Sequence, residues 1–206
     1  MNNIATFIKR SNFGAFISGL RMFYFHYFKN YRKMMGFCHP SAVTTRPLRI
    51  YGPQNIYLYE NTKISDATIL ATNAKFILGK NSGTASGLLV ITGNHERRIG
   101  MPYRFIHDSA KKEGLDKDVV VEEDCWIGSR VTLLMGVTVR RGTTVASGAV
   151  VTKSTAPYSI VGGVPAKHIK FYWTIDEILE HESKVYLENE RFSRSQLEEY
   201  FAKYTK

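Results

Sequence analysis

From Val121 onward the apolar positions recur every six residues, in the blocks VEEDCW, IGSRVT, LLMGVT, VRRGTT, VASGAV and VTKSTA. Each block opens on an aliphatic residue: Val121, Ile127, Leu133, Val139, Val145 and Val151. The fifth position is small or β-branched: Cys125, Val131, Val137, Thr143, Ala149 and Thr155. A period of six is neither the 3.6 of a helix nor the 2 of a simple strand. Two inward positions four apart, separated by a polar turn, describe a short strand followed by a corner. Three such blocks make one triangular coil, and stacked coils pair their strands in parallel and bury a column of side chains that no single block could bury.

A rougher set of the same strands runs from Ile50 to Val90. There Ile64, Leu70 and Phe76 keep one spacing of six and Leu78, Thr84 and Val90 another, with a register slip between them. Between the two sets, Asn94 to Asp118 has no period and much charge. Aperiodic loops of that length in a compact domain mark function or disorder. After the repeats, STAPYSIVGGVPAKHIKFYW closes the stack. A helix then follows with a Thr174–Glu177 capping box, and a second is capped from Ser193 or Ser195.

The N-terminal arm reads differently. The chain carries a net charge of +10, yet its first acidic residue is Glu60. Eight basic residues precede it, so the excess charge lies in the arm and the remainder is nearly balanced. No small-residue cleavage site follows an apolar core, which argues against a signal peptide. The aromatic run from Phe13 to Phe28 contains Arg21 and His26 and falls short of the roughly 20 apolar residues a spanning helix needs. Read as a helix, Ile17, Leu20, Tyr24, Phe28 and Tyr31 share one stripe. Two readings stand for residues 1–36: a helix packed on its own domain or a sister subunit, and a helix making peripheral contact with anionic lipid. With 44% hydrophobic and 22% charged residues the composition is that of an ordinary globular chain. Its two cysteines, Cys38 and Cys125, have no ligand spacing and read as reduced thiols of a cytoplasmic protein.

The stretch CWIGSRVTLLMGVTVRRGTTVASGAVVTKSTAPYSIVGGVPAKHIK resembles the hexapeptide-repeat acyltransferases. The branch is that of the maltose and galactoside O-acetyltransferases and the acetyltransferases of surface-polysaccharide clusters, and the likeness covers residues 50–170. It implies a mainly β protein, a left-handed parallel β-helix with an N-terminal helical arm and C-terminal helices. The hand comes from the resemblance alone, because the general rule for parallel crossovers is right-handed. Residues 1–45 then form the arm, 46–170 the β-helix with its 94–118 excursion, and 171–206 the closing helices. The family further implies a homotrimer with active sites between neighbouring prisms, and acetyl-CoA as donor.

His95, in VITGNHERRIG, stands where the family places its catalytic histidine, at the end of a repeat strand and the mouth of the excursion. A hydroxyl is a poor nucleophile at neutral pH, and imidazole is matched to removing its proton. The coenzyme positions carry over to Ser129, Ser147, Thr152, Lys153, Lys167 and Lys170, whose ammonium groups suit the phosphates of coenzyme A. Ser65, Asp66 and Asn73 stand in the stretch where the family holds its acceptor. Asn73 is the one candidate carried over as substrate-binding, and the departure from the family pattern points to an acceptor other than maltose or a galactoside. Arg97 and Arg98 would suit an anionic or nucleotide-linked sugar. His107 lies in the excursion; His26, His39, His168 and His181 are assigned no role. No histidine or cysteine cluster has the spacing of a metal site. The expected activity is acetyl transfer to a saccharide hydroxyl, with no nucleic-acid partner. An N-acetyltransferase of a nucleotide-linked amino sugar and a non-catalytic trimeric β-helix module are the alternatives.

Overall fold

A computed structural model describes residues 12–106 and 111–204. The first eleven residues of the arm, Lys9 and Arg10 among them, lie outside the described residues, as does His107. Helix α1 (Asn12–Tyr27) leads into a parallel β-solenoid. Its first coil holds β1 (Phe37–Cys38), β2 (Val43–Thr44) and β3 (Leu48–Tyr51), and the second β4 (Ile56–Leu58), β5 (Lys63–Ile64) and β6 (Ala67–Leu70). The third holds β7 (Phe76–Leu78), β8 (Gly83–Thr84) and β9 (Leu88–Ile91). The fourth holds β10 (Val119–Val121), β11 (Trp126–Ile127) and β12 (Thr132–Leu134), and the fifth β13 (Thr138–Val139), β14 (Thr144–Val145) and β15 (Val150–Val151). Strand β16 (Ser159–Gly162) begins a sixth coil, and β17 (Lys167–Phe171) folds back antiparallel upon it.

Corresponding strands of successive coils stack into three sheets, the faces of the prism. Both inward columns of the six-residue blocks are buried throughout, from Val121 and Cys125 to Val151 and Thr155. Ser129 and Ser147, 18 residues apart, stack one coil over the other. The earlier coils are longer, with Asn61 donating to Asn81 20 residues on. That difference explains the register slip. In β6 the inward side chains are Ala67 and Ile69, so Leu70 faces outward and half-exposed instead of joining a core column.

One corner shows why the repeat needs its polar residues. Between the first and second sheets, Asn61, Asn81, Asp124, Gly142 and Tyr158 stack with φ between 53° and 69°. This left-handed conformation turns the chain by one prism face, and Asn, Asp and Gly adopt it most readily. Tyr158 is the bulky exception. It is fully buried, and its hydroxyl donates to Glu182 at 2.6 Å, so packing holds the turn that local preference disfavours.

Tyr158 also roots the C-terminal cap. Helix α2 (Ile175–Val185) starts at Thr174, whose hydroxyl accepts from the Glu177 N–H while the Glu177 carboxylate receives the Thr174 N–H. Helix α3 (Arg194–Tyr204) packs beside it, and Ile178 and Leu197 close over Tyr158 as a small second core. Glu182 is buried in that cap and satisfied by Arg141, Tyr158 and the Phe192 N–H.

Candidate active site

The site begins where β9 ends. Thr92 is buried, its hydroxyl donating to the carbonyls of Leu70 and Ala74, and its own carbonyl accepts from the Lys117 N–H at 2.9 Å. The excursion therefore leaves and rejoins the prism at one pinned point. Within it Asp116 is the hub. Its carboxylate accepts from the Asn73 side-chain amide at 2.8 Å, from the Asn94 N–H at 2.9 Å, and from the Lys111 ammonium at 3.2 Å. Burial works against the ionised Asp116, but these three donors outweigh it and hold its pKa below the ordinary value.

Asn94, fixed in this way, accepts the His95 N–H through its side-chain oxygen at 2.8 Å. The His95 side chain is exposed and meets the edge of Tyr103, ring centres 5.7 Å apart. Its neighbour Glu96 turns inward, 5% exposed, and forms a two-pronged pair with Arg98 at 2.7 and 2.9 Å while accepting the Lys112 N–H. The Arg98 hydrogen bond holds the Glu96 carboxyl at about 2. Arg98 is thus engaged inside the loop, and Arg97 lies over the Tyr103 ring at 5.4 Å. Asn73, His95, Lys111 and Asp116 line a cleft of about 430 Å³. Leu70 and Ile91, side by side on the outward face of the third sheet, belong to the same cleft.

The coenzyme candidates fall in two groups. Ser129 and Ser147 stack at the corner between the second and third sheets, with the Ser129 N–H donating to the Ser147 hydroxyl at 3.2 Å. A Cβ on Gly128 would stand 2.7 Å from the Ser147 nitrogen, so this close approach of coils requires the glycine of WIG. Thr152 and Lys153 follow β15 at the opposite edge of the third sheet. Lys153 and Lys167 share a pocket of about 230 Å³ with His168 and Tyr204. Lys170 lies further along β17, opposite Ile160, and is not part of that pocket. Burial lowers the His168 pKa, and its Nδ1 is buried with no hydrogen-bond partner among the described residues.

His95 and Lys153 both lie just past strands of the third sheet, at the same prism edge, and the ladder β9–β12–β15 separates them by two strand spacings. At about 4.8 Å per spacing that is roughly 10 Å along the axis. Cys125 is no candidate nucleophile, since it is buried in the core and burial pushes its thiol pKa far up. Among the described residues no group of three or more His, Cys, Asp or Glu side chains converges as a metal site. Sequence reasoning missed Asp116, Asn94, Glu96 and Lys111. Asp116 meets Asn73 across 43 residues, inside a segment whose pattern carries no period.

Residues 118–153 match the hexapeptide repeat of succinyl-transferase. A chloramphenicol acetyltransferase of Klebsiella aerogenes is 33% identical over 115 residues, which cover 50% of this chain and 55% of that protein. The chain thus spans about half the length of the first curated relatives it matches. A protein of Escherichia coli strain K12, provisionally named a lipopolysaccharide biosynthesis O-acetyl transferase (WbbJ), is 26% identical over 149 residues, 68% of each chain. The hexapeptide-repeat acetyltransferase VCA0836 of Vibrio cholerae, solved with acetyl coenzyme A, superposes with a TM-score of 0.60 at 20% identity, over 80% of this chain and 91% of that one. The chain is thus similar to hexapeptide-repeat acetyltransferases, in sequence over its repeats and in fold.

Proposed function

We propose that the protein transfers an acetyl group from acetyl-CoA to a hydroxyl of a saccharide, with His95 as the general base. The observation that carries this reading is the exposed His95 imidazole in a cleft at the same prism edge as the Lys153–Lys167 pocket, two coils away. A neutral imidazole nitrogen takes the acceptor hydroxyl proton as that oxygen attacks the thioester carbonyl. The C–S bond of the tetrahedral intermediate then breaks, and the proton passes to the departing coenzyme thiolate. Lys153 and Lys167 hold the coenzyme phosphates in this reading, with Lys170 further along β17 and Ser129, Ser147 and Thr152 along the groove. Asn73 gives one of its two amide N–H donors to Asp116, which leaves its oxygen and the second N–H for the acceptor in this reading. A groove between prisms is completed by a neighbouring copy, which is the place of the homotrimer.

The relative named a lipopolysaccharide O-acetyl transferase supports a saccharide acceptor. The relatives named chloramphenicol acetyltransferases favour a second reading, the hydroxyl of a small xenobiotic, by the same chemistry. Coenzyme A release with acetyl-CoA and a panel of sugars, nucleotide sugars, amino sugars and chloramphenicol separates the two. Release with an amine acceptor alone would make the enzyme an N-acetyltransferase instead. His95→Ala is expected to lower kcat about 10²–10⁴-fold with an unchanged thermal melt, the usual contribution of a general base. Activity within threefold of wild type would end the assignment.

A further inference from the structure

Helix α1 is amphipathic in the sense opposite to a packed helix. Its inner side, with the half-buried Phe25 and His26, rests on β3. Arg46 fastens its end by donating to the carbonyls of His26 and Lys29. The stripe of Phe13, Phe16, Ile17, Leu20, Phe23 and Tyr24 points away from the prism, each of these residues 47–66% exposed. At about 100° per residue these six occupy an arc of roughly 120° that contains no charge. Beside the stripe, Arg21, Lys29 and Arg49 line a pocket of about 380 Å³ floored by Phe25, Tyr31 and Ile50. No acidic residue precedes Glu60, so no carboxylate of the arm or first coil neutralises these cations. No described helix is long and apolar enough to cross a membrane.

An uncharged aromatic stripe flanked by uncompensated cations is complementary to the boundary between acyl chains and anionic headgroups. We propose that α1 and this pocket form a docking surface for an anionic bilayer, the stripe entering the headgroup region and Arg21, Lys29 and Arg49 meeting lipid phosphates. The consequence for the site is geometric. Tyr51, Leu70 and Ile91 form one outward column on the third sheet, so the docked helix and the His95 cleft lie on the same face of the prism, two strand spacings apart.

Co-sedimentation with vesicles tests the proposal without using activity, and so stands apart from the acetyl-transfer reading. Wild type is expected to bind phosphatidylcholine vesicles containing about 30% phosphatidylglycerol at least about tenfold more tightly than pure phosphatidylcholine. That preference should fall about tenfold in roughly 0.5 M NaCl. Phe16→Ser with Leu20→Ser, and separately Arg21→Gln with Arg49→Gln, should each weaken binding by about tenfold or more. If the serine pair fails to fold, as its thermal melt would reveal, the glutamine pair at exposed positions carries the test. Absent binding, equal binding to neutral vesicles, or unchanged binding by the folded variants overturns the proposal. It falls equally if the serine pair dissociates the assembly in sedimentation velocity while wild type ignores vesicles, since the stripe is then a contact between copies.

Discussion

Glu96 and His95 are adjacent in the chain and opposite in fate, one buried against Arg98 and the other open to the cleft. That alternation aims the imidazole outward, and it gives the loop a pH dependence. The folded-state pKa of Glu96 is lowered from 4.5 to about 2 by the Arg98 pair, so its contribution is fully present above pH 4.5 and is lost as the pH falls toward 2. Hydrogen exchange at the Lys112 amide, which donates to Glu96, should be slow and flat between pH 5 and 8 once corrected for intrinsic rates. Protection should fail progressively below pH 4.5, and in Glu96→Gln it should be weakened at neutral pH as well. Unchanged protection of Lys112 in Glu96→Gln would show that the ion pair does not hold the loop. The pair was not legible in NHERRIG, where two arginines follow the glutamate and nothing local says which of them folds back.

At the scale of the element, Asp116 ties Asn94 and Lys111 of the excursion to Asn73 beyond the second coil. Asp116→Ala removes the acceptor shared by the Asn73 amide, the Asn94 N–H and the Lys111 ammonium, and Asn94 is the residue whose side chain accepts the His95 N–H. A displacement of about 1 Å at a catalytic group can cost roughly 100-fold in rate. The expected result is a kcat lower by about 10–100-fold with an unchanged KM for acetyl-CoA, because the lysine pocket lies two coils away. A kcat and an acceptor KM both unchanged would remove Asp116 as a positioning residue. The repeat strands, by contrast, were readable in advance. Val121, Ile127, Leu133, Val139, Val145 and Val151 are all buried in register, because a period set by prism geometry must show in the sequence that fills it. Leu70 escaped that reading because the longer second coil carries its extra residues at the corners, where spacing no longer counts strands.

At the scale of the whole molecule, the positions proposed to hold the coenzyme are brought together by coil stacking and by the fold-back of β17. Lys153 and Lys167 come from different strands yet share one pocket, walled by Tyr204 of the last helix. Lys153→Glu with Lys167→Glu is expected to raise the KM for acetyl-CoA about tenfold or more and to leave the acceptor KM within about threefold. Equal changes in both would assign the two lysines to structure. What the sequence determined by itself is the β-solenoid, the two columns of its core and the capping box of α2, all of which depend on local spacing. The tertiary structure decided that Arg98 is engaged by Glu96 and that Asn73 is turned to Asp116. It also decided that the aromatic stripe of α1 faces away from the prism. These depend on which distant surfaces meet, and neither the aperiodic loop nor the arm carries a repeat from which such a meeting could be counted.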